Sequence, residues 1–599
     1  MKIRSSGLIA LAGGAGCAMI LALAACGGGS SSAGPTPTQM KGTVNVQITD
    51  GPSDEFQHAW ITFTAISFHT DPNAAWSAAD ATWLTTKLPA PVTIDLTTLN
   101  NGALNTLFSG ISLPVGTYRQ IRFLLDGPDA PLDASALATK DSNGAALQWN
   151  DQVEYLAANS ATALEAPLEI AYPTQGIQLV GMFNVVQGGT LSLAVDFDLE
   201  HDIVPFRHDT LTYFTMRPNL HYYDMSQVAG IQGTVDPSKL CLSIASELSQ
   251  SPACAFNLIV KAELLAADGS RHYYVARATT VDPATGNFLL YPLWTKDASG
   301  NTIASYDVLI RGRNMETMIV QAVPAIVIAN PGGTLPVSGP VPLQSGPIAL
   351  TLNNGEYTAQ FAANTPLAPL TAGYAIFQQT LSGAGAVPYE VRWRNTDPFT
   401  GMFQDPIPLQ GSTSSLHVAP YNGGNALAFN SQMPLEGAGA FTVADNEVAY
   451  YALGTAGVML PPSPPSTSQT FTPAAPTLVS GVQSGTVNVT LAFSGISVDN
   501  QCEFVLARFA AIVDTYDCHS FLSTNGGSNT GSFALSGVPA GASPVNLPAV
   551  LVPGAYYYAY VRLWQAGHGA ATRRIVPLPG FVDLRSMSSA TLNGSVPGA

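Results

Sequence analysis

Apolar and polar residues alternate in the stretch that decides the fold, residues 42–49, which read Gly-Thr-Val-Asn-Val-Gln-Ile-Thr. Val44, Val46 and Ile48 fall on one face of this stretch, and the polar residues between them fall on the other. A period of two residues predicts a β-strand that buries one of its faces. The first folded domain is therefore expected to begin near residue 41 as part of a sheet.

The residues that follow repeat this pattern between turn-rich segments. Further strands are predicted at residues 59–69, 92–96, 118–125, 177–186, 190–197 and 210–216. Only 11% of the residues are charged, whereas about 25% is usual. Glycine and proline are abundant, with 55 and 44 residues, and this composition favours short strands and turns. The sequence thus predicts an all-β protein made of tandem β-sandwiches of the transthyretin-like or immunoglobulin-like kind.

Short motifs in the first domain resemble a known family. They are Ile-Thr-Asp-Gly-Pro at 48–52, Leu-Pro-Val-Gly-Thr-Tyr-Arg-Gln-Ile-Arg at 113–122 and Val-Asp-Phe-Asp at 195–198. In that order they resemble the DUF4382 family, a domain of unknown function on bacterial lipoproteins. The resemblance covers residues 42 to 222 and implies a transthyretin-like sandwich, but it brings no catalytic residues. The sequence departs from the family pattern at Gly51 and by a polar insertion from Asp129 to Leu164.

The N-terminus has the order of a secretion signal. Lys2 and Arg4 precede an uncharged run, which ends in Leu23-Ala24-Ala25-Cys26 and a Gly/Ser-rich break. The last four residues of the run resemble the bacterial lipobox, in which the cysteine is acylated and becomes the first residue. We therefore predict lipidation of Cys26; an ordinary cleaved signal or an uncleaved anchor is the alternative. Gly27 beside the lipid is neutral, which in such lipoproteins implies the outer membrane.

The composition also sets the expected domain organisation. Residues 1–25 are predicted to be the signal peptide, and residues 26–40 a lipidated flexible tether. Proline-rich stretches mark later boundaries, and the motif Thr-Gly-Asn-Phe at 285–288 has counterparts at 400–403 and 530–533, each expected in a turn between strands. Near the first of these the sequence resembles the carboxypeptidase regulatory-like sandwich. The predicted bounds are 41–225 and 228–330 for two sandwiches, 331–347 for a linker, 348–459 for a sandwich, 460–476 for a Pro-rich linker and 477–599 for a last sandwich.

Four cysteines remain after the signal, in two close pairs. Cys241 lies near Cys254, and Cys502 lies near Cys518. Because export delivers the chain to an oxidising compartment, a disulfide is predicted within each pair. A loop of about 15 residues closed in this way contributes about 3 kcal/mol in the chain-entropy model. A metal site, the alternative, lacks the closely spaced ligand pairs that zinc prefers.

An acidic segment is the one candidate for metal binding. Asp196, Asp198, Glu200 and Asp202 would share one face if the strand continued through them. Calcium could then be bound with help from Asp50, Asp54 or Glu55 across the sheet, and the alternative is a solvated strand face. No cofactor is expected, because His201, His208 and His221 lack zinc spacing and no nucleophile elbow or phosphate-binding loop is present.

Aromatic residues offer a second kind of candidate site. Trp76, Trp83, Trp393 and the tyrosines at 556–560 could stack on sugars or anchor partners, or could fill the core. The formal charge of −17 argues against nucleic acid as a partner. The predicted function is that of a non-catalytic adhesion, binding or scaffolding protein of the cell envelope. It would contact the membrane through its lipid, and an envelope protein, a polysaccharide or a host surface. An envelope hydrolase of glycans or peptides, or a periplasm-facing structural lipoprotein, is the alternative.

Overall fold

A computed structural model describes residues 39–598 apart from short gaps, and its secondary structure is almost entirely β-strand. Lys41–Ala599 groups into one compact unit. Cys26 and the other residues before 39 lie outside the described part. The gaps are at residues 54, 73, 157–161, 171–174, 209–210, 217–219, 244–253, 267–272, 298, 313–314, 330–338, 353–355, 364–372, 382–386, 396–401, 409–415, 433–439, 446–450, 453–455, 460–467, 472–476, 479–481, 509–510, 542–544, 548–549, 553–554 and 566–571.

The first region contains the strands predicted from alternation and several more. In β1 the side chains of Val44, Val46 and Ile48 are fully buried, as the period of two residues predicts. The elements are β1 (Lys41–Thr49), β2 (Phe56–His69), β3 (Leu84–Asp95), β4 (Asn105–Pro114), β5 (Gly116–Leu125), α1 (Ala134–Ala138), β6 (Gln152–Leu156), β7 (Ala163–Glu169), β8 (Ile177–Val185), β9 (Thr190–Asp196), α2 (Leu199–Asp202), β10 (Ile203–His208), β11 (Leu211–Met216) and β12 (His221–Asp224).

These strands form two sheets that enclose one core. The smaller sheet has the order β12-β9-β1-β4, in which β1 runs parallel to β9 and antiparallel to β4. The larger has the order β10-β11-β7-β6-β2-β5-β8, with β3 paired to β2. Phe63 from the larger sheet makes an edge contact of 5.7 Å with Phe197, which follows β9. Because their buried faces pack together, the sandwich expected for this region is confirmed.

The second region builds a further pair of sheets around a core of aliphatic side chains. One has the order β16-β13-β19 with β20 on β13, and the other has the order β15-β14-β17-β18, extended by β25 (Leu416–Pro420) and β26 (Asn430–Gln432). The strands are β13 (Gln227–Thr234), β14 (Ile259–Leu265), β15 (Tyr273–Thr280), β16 (Asn287–Leu293), β17 (Ser305–Arg311), β18 (Thr317–Pro324), β19 (Ile328–Ala329) and β20 (Val341–Pro342).

The third region supplies strands to its own sheets and to the preceding one. Strands β25 and β26 extend the sheet of β18, and the remaining strands form the orders β24-β21-β30, β23-β22-β27-β29 and β28-β31. The strands are β21 (Glu356–Ala363), β22 (Gly373–Thr380), β23 (Pro388–Asn395), β24 (Met402–Pro408), β25 (Leu416–Pro420), β26 (Asn430–Gln432), β27 (Ala440–Asp445), β28 (Tyr451–Ala452), β29 (Ala456–Met459), β30 (Ser468–Phe471) and β31 (Thr477–Leu478).

The last region is another sandwich. Sheets β35-β32-β41 and β34-β33-β38-β39, with β40 paired to β38, enclose a separate core. The strands are β32 (Gln483–Ser494), β33 (Asn500–Arg508), β34 (Ala511–Asp517), β35 (Asn529–Ala540), β36 (Val545–Leu547), β37 (Val550–Val552), β38 (Tyr556–Gln565), β39 (Arg574–Pro577), β40 (Val582–Asp583) and β41 (Ser589–Pro597).

Both predicted disulfides are present. One joins Cys241 to Cys254 and the other joins Cys502 to Cys518. The second bridge ties β33 to the turn after β34, and both of its cysteines lie in the core of the last sandwich. Each bridge closes a short loop, because its cysteines are 13 and 16 residues apart in sequence.

Pairing between strands connects the predicted domains to one another. The bounds of these domains remain predictions. β20 lies within the predicted linker 331–347 and pairs with β13. β30 lies within the predicted linker 460–476 and pairs with β21. β25, from the predicted sandwich 348–459, pairs with β18 of the preceding one. These short strands fasten consecutive regions of Lys41–Ala599 to one another.

Two local expectations need correction. β9 ends at Asp196 and α2 begins at Leu199, so the acidic residues 196–202 do not share a strand face. Leu199 donates its backbone N–H to Oδ1 of Asp50, which holds the chain in this turn.

Of the three repeated motifs, Thr285-Gly286 does form a turn, with Gly286 at a φ of +76°. Gly531 instead lies inside β35, and the motif at 400–403 begins outside the described residues.

Candidate functional site

A group of buried charges lies where three regions meet; we call it the Lys261 cluster. It consists of Asp198, Glu200 and His201 around α2, Lys261 and Glu263 on β14, and Glu390 on β23. Helix α2 interrupts the chain between β9 and β10 and so presents three ionisable residues at one junction. β14 approaches from the second region and β23 from the third. The cluster therefore joins segments that are far apart in sequence.

Lys261 is the central cation of the cluster. Its side chain is 1% exposed, and its Nζ lies 3.1 Å from Oε2 of Glu200 and 3.5 Å from Oε1 of Glu390. His201 bridges Asp198 and Glu390, and so shares one carboxylate with Lys261. Its Nδ1 lies 2.6 Å from Oδ2 of Asp198, and its Nε2 lies 3.3 Å from Oε1 of Glu390. Two basic groups thus alternate with three acidic ones across the junction.

The pKa values within the cluster follow from burial and from these pairings. Burial by itself lowers the pKa of Lys261 and of His201, but the neighbouring carboxylates outweigh it and raise both. Burial raises the pKa of Asp198 and Glu390, but His201 and Lys261 outweigh it and lower both. Glu200 and Glu263 differ, because burial dominates and raises the pKa of both, that of Glu263 well above the ordinary value. Asp198, His201, Lys261 and Glu390 are therefore stabilised in their charged forms, whereas burial opposes the charged forms of Glu200 and Glu263.

The same residues include a possible set of metal ligands. One ligand atom each from Glu200, His201 and Glu390 lie within 4.8 Å of one another. The ammonium group of Lys261, however, already contacts both glutamates. A metal ion at this position would have to displace a buried lysine whose charge is already neutralised. The arrangement fits an internal ion-pair network better than a metal centre.

We expect the protonated His201 side chain to stabilise the fold, and this contribution to the free energy of unfolding to be lost at alkaline pH. Because its pKa is raised above the ordinary value of 6.5, its contribution is complete below that pH and is lost as pH rises through the raised pKa. The extra free energy of unfolding of the wild type over His201→Asn should therefore decrease as the pH is raised from 7. Denaturant titrations at a series of pH values measure this difference. A difference that stays constant up to pH 10 contradicts the assignment, and His519→Asn, at a half-buried turn, is the matched control.

A second buried network joins the first region to the last. Arg562 on β38 is fully buried, and its guanidinium donates to Glu169 at 2.5 and 3.0 Å and also to Glu503. Tyr560 donates its hydroxyl to Glu169 as well. Arg573 contacts Glu169 at 3.1 Å and Asp129 at 3.0 Å. Burial raises the pKa of Glu169, but the two arginines outweigh it and lower it.

The predicted calcium candidates lie in a third interface, beside the second region. Arg277 on β15 donates to Oδ1 of Asp196 at 2.5 Å and to the backbone oxygen of Asp50 at 2.8 Å. Asp198 faces His201 instead, and Asp54 lies outside the described residues. Burial, followed by repulsion from Asp196 and Asp198, raises the pKa of Asp50 well above its ordinary value. An arginine thus occupies the place beside Asp196, and calcium at these residues stays a hypothesis.

The aromatic candidates are mostly buried, as the core alternative predicts. Trp76 and Trp83 are 7% and 5% exposed and contact each other edge to face at 5.2 Å. Arg122 lies 5.6 Å from the Trp83 ring and donates to the Tyr556 hydroxyl at 3.0 Å. Trp393 is half-buried and contacts the ring of His201 at 4.4 Å. These rings bind other parts of the same chain.

Sequence reasoning missed the basic partners in all three networks. Lys261 and Arg562 stand in strands made mostly of apolar and aromatic residues, and such a position is a usable signal of a buried ion pair. Their acidic partners lie 59 to 393 residues away along the chain, the limits being set by Glu503 and Glu169 as partners of Arg562. Pairing them requires the fold.

None of the helices in the described part of the chain has the length and apolar character that a membrane span needs.

Comparison with known proteins identifies the first region. Residues 41–218 match the family model described as a domain of unknown function, DUF4382, which confirms the resemblance found in the sequence. No curated protein matches the chain. Among solved structures, the Bacillus anthracis TIE protein shares 8% identity, with 94% of this chain and 76% of that chain covered and a TM-score of 0.14. The Corynebacterium diphtheriae major pilin SpaA shares 9% identity, with 62% and 100% covered and a TM-score of 0.10.

Proposed function

We propose that this chain is a lipid-anchored protein of the bacterial outer membrane that acts by binding or scaffolding, without catalysis. The N-terminal support is the lipobox-like Leu23-Ala24-Ala25-Cys26 behind a basic and apolar leader. One acyl chain gives only marginal membrane binding, whereas two or three chains give durable attachment. The DUF4382 match at residues 41–218 is consistent with this placement, because the family resemblance implies a bacterial lipoprotein.

The observation that best supports the proposal is that buried ion pairs join different regions of the chain. Lys261, Arg277 and Arg562 each join carboxylates of the first region to another region of the chain. A buried ion pair contributes little net stability, but in some proteins it specifies one arrangement of the groups around it, and we infer that role here. The regions are thus held in a fixed mutual arrangement, which suits a surface that recognises a partner. A flexible chain of separate sandwiches would lose more conformational entropy on binding.

The proposed partners are an extracellular polymer, another envelope protein or a host surface. An excess of acidic residues gives a net charge of −17, which disfavours nucleic acid and anionic bilayers as binding surfaces. The lipid must therefore provide the membrane attachment. A pull-down from envelope and glycan fractions with the chain from Lys41 onward tests this proposal. Saturable capture supports it, and turnover of a glycan or peptide substrate favours the hydrolase alternative instead.

Replacing Cys26 with serine should release the protein from the membrane. Serine has no thiol to accept the first acyl group, so the anchor is not attached. We expect loss of metabolic fatty-acid label and a shift of most of the protein to the soluble fraction. Cys17→Ser, within the predicted leader, is the control and should keep both label and membrane attachment. Continued labelling of the Cys26→Ser variant would contradict the lipoprotein assignment.

The face of the outer membrane on which the protein acts can be tested separately. Protease added to intact cells reaches only surface-exposed chains. Digestion of the β-sandwich body in intact cells supports adhesion to a polymer or a host surface. Protection until the outer membrane is permeabilised supports the periplasm-facing structural role.

A further inference from the structure

The two sheets of the last sandwich differ in charge. Sheet β34-β33-β38-β39 carries acidic and basic side chains, among them Glu503, Asp514 and Arg562. The three strands of the other sheet, β32, β35 and β41, contain no aspartate, glutamate, lysine, arginine or histidine. In a chain with a formal charge of −17, a whole sheet without ionisable side chains is a distinct surface. We call the side of these three strands that points away from the core the neutral face.

The neutral face lies opposite the sheet that contacts the first region. That contact is made from the charged sheet, where Arg562 pairs with Glu169. Because the two sheets enclose the core between them, the outer side of β35-β32-β41 is the far side of the sandwich. Alternation along β32 agrees with this, since Val487 and Val489 are buried and Asn488 between them is exposed. The neutral face is therefore presented to solvent.

Short side chains form rows across the neutral face. Directly paired residues project from the same side of a sheet, and five of the six residues at the centre are exposed, the sixth being half-buried. The six are Ser532, Thr490 and Asn593 in one row and Ala534, Asn488 and Thr591 in the next. Neighbouring strands are about 4.8 Å apart, and alternate residues of one strand about 6.6 Å apart. The rows thus repeat at regular intervals in both directions.

Hydroxyl and amide groups supply the polar atoms of this face. The hydroxyl oxygens of Thr490 and Ser532 lie 3.1 Å apart, and Nδ2 of Asn488 donates to the hydroxyl of Ser589 at 3.2 Å. A hydroxyl can donate once and accept twice, and an amide can donate twice and accept through its oxygen. These contacts use only part of that capacity. The rest is directed to the solvent side and can bind a ligand that offers both donors and acceptors.

The composition of the neutral face favours a carbohydrate over a protein as its ligand. Protein interfaces are enriched in aromatic residues, methionine and arginine and depleted of serine and alanine. Serine and threonine are also rare among the residues that dominate binding between proteins. An acidic polymer would be repelled by the net negative charge of the chain. An uncharged polyhydroxyl chain meets neither obstacle.

Three stacked aromatic rings lie along β35, the edge strand of this sheet. Tyr516 and Phe533 stack at 3.8 Å with an angle of 7° between their planes. Phe521 is nearly parallel to both, at 6.1 and 6.2 Å, and its ring covers Gly531 so closely that a Cβ would not fit there. All three rings are half-buried. Their exposed parts add apolar surface beside the hydroxyl rows, and a sugar ring also has an apolar face beside its hydroxyls.

We propose that the neutral face binds an uncharged polysaccharide. This inference rests on the proposed binding function and specifies its ligand class and its site. One hydrogen bond exchanged with water adds little net affinity, so a single sugar unit would bind weakly. A polymer contacts successive rows at once, and the contacts after the first form at a high effective concentration.

Co-sedimentation of the full-length chain, in a neutral detergent, with insoluble polysaccharides tests the proposal. The uncharged probes are cellulose, chitin, mannan and the β-1,3-glucan curdlan, and phosphocellulose is the charged probe. We expect saturable binding to at least one uncharged probe. The binding should be unchanged between about 0.1 and 0.5 M NaCl, because screening by salt weakens only contacts between charges. Binding to no uncharged probe, or to phosphocellulose alone, would overturn the proposal.

A double variant in the two central rows locates the site. Asn488→Ala with Thr591→Ala removes the amide and the hydroxyl of a directly paired couple on the neutral face. We expect binding to weaken at least about 5-fold, which corresponds to the loss of one typical hydrogen bond. The matched control is Thr117→Ala with Asn184→Ala, an exposed and directly paired couple on the first sandwich. The control should bind as the wild type does, and equal binding by both double variants would overturn the assignment of the site.

Capture from envelope fractions separates failure of this inference from failure of the proposed function. If the wild type and the Asn488→Ala, Thr591→Ala variant capture a polymer equally, the binding function stands and the neutral face is not its site. If protease treatment of the fraction abolishes capture, the partner is a protein, which overturns the carbohydrate inference alone. If the wild type captures nothing and binds none of the probes, both proposals are contradicted.

Discussion

Replacement of Arg562 by methionine is expected to lower the free energy of unfolding by about 3–5 kcal/mol. The guanidinium is fully buried and neutralises Glu169 and Glu503 at the junction of the first and last regions. Methionine fills much of the volume but leaves both carboxylates without this partner. Removing one member of a buried ion pair is strongly destabilising for this reason.

Urea denaturation followed by tryptophan fluorescence measures the loss. Arg119→Met is the matched control, because Arg119 also lies on a strand but is exposed. It should change the free energy of unfolding by no more than about 0.5 kcal/mol. A double variant, Glu169→Gln with Arg562→Met, should recover part of the loss, since one of the stranded charges is gone. A loss below about 1 kcal/mol in Arg562→Met would contradict the role given to this arginine.

The strands were the most predictable part of this fold. Alternation at Val44, Val46 and Ile48 requires only local information, because the period of two residues follows from strand geometry. The disulfides were equally local, since each pair of cysteines lies within one short stretch. The same alternation was misleading at residues 196–202. There the backbone N–H of Leu199 bonds to Asp50, some 149 positions earlier, and a helical turn replaces the strand.

The charged networks could not be paired from the sequence, because they depend on contacts between distant segments. Glu200 and Glu390 are both partners of Lys261, yet one precedes it and the other follows it by 129 residues. Lys261 was recognisable as a charged residue in a mostly apolar strand, but its partners were not. Likewise, Glu154 and Glu165 become direct neighbours only once β6 and β7 pair in register. Local patterns thus predicted elements, and only the fold revealed the interfaces.

Replacement of Lys261 by methionine should have an effect of similar size, about 3–5 kcal/mol. The variant leaves Glu200 and Glu390 buried without their ammonium partner, and His201 alone remains to neutralise them. We also expect the pKa of Glu390 to rise, because Lys261 is the main group that lowers it. The variant should therefore lose less stability at acidic pH, where protonated carboxyls need no counter-charge. Lys87→Met, at an exposed position on β3, is the matched control.

A triple variant separates the loss of charge balance from the loss of side-chain packing. Glu200→Gln and Glu390→Gln, added to Lys261→Met, leave the junction without its central ion pairs but keep similar side-chain volumes. Replacing a whole buried ion pair by well-packed neutral groups is often close to neutral for stability. The triple variant should therefore be more stable than Lys261→Met in urea denaturation at pH 7. If it is instead less stable, the two glutamates stabilise the junction through contacts other than those with Lys261.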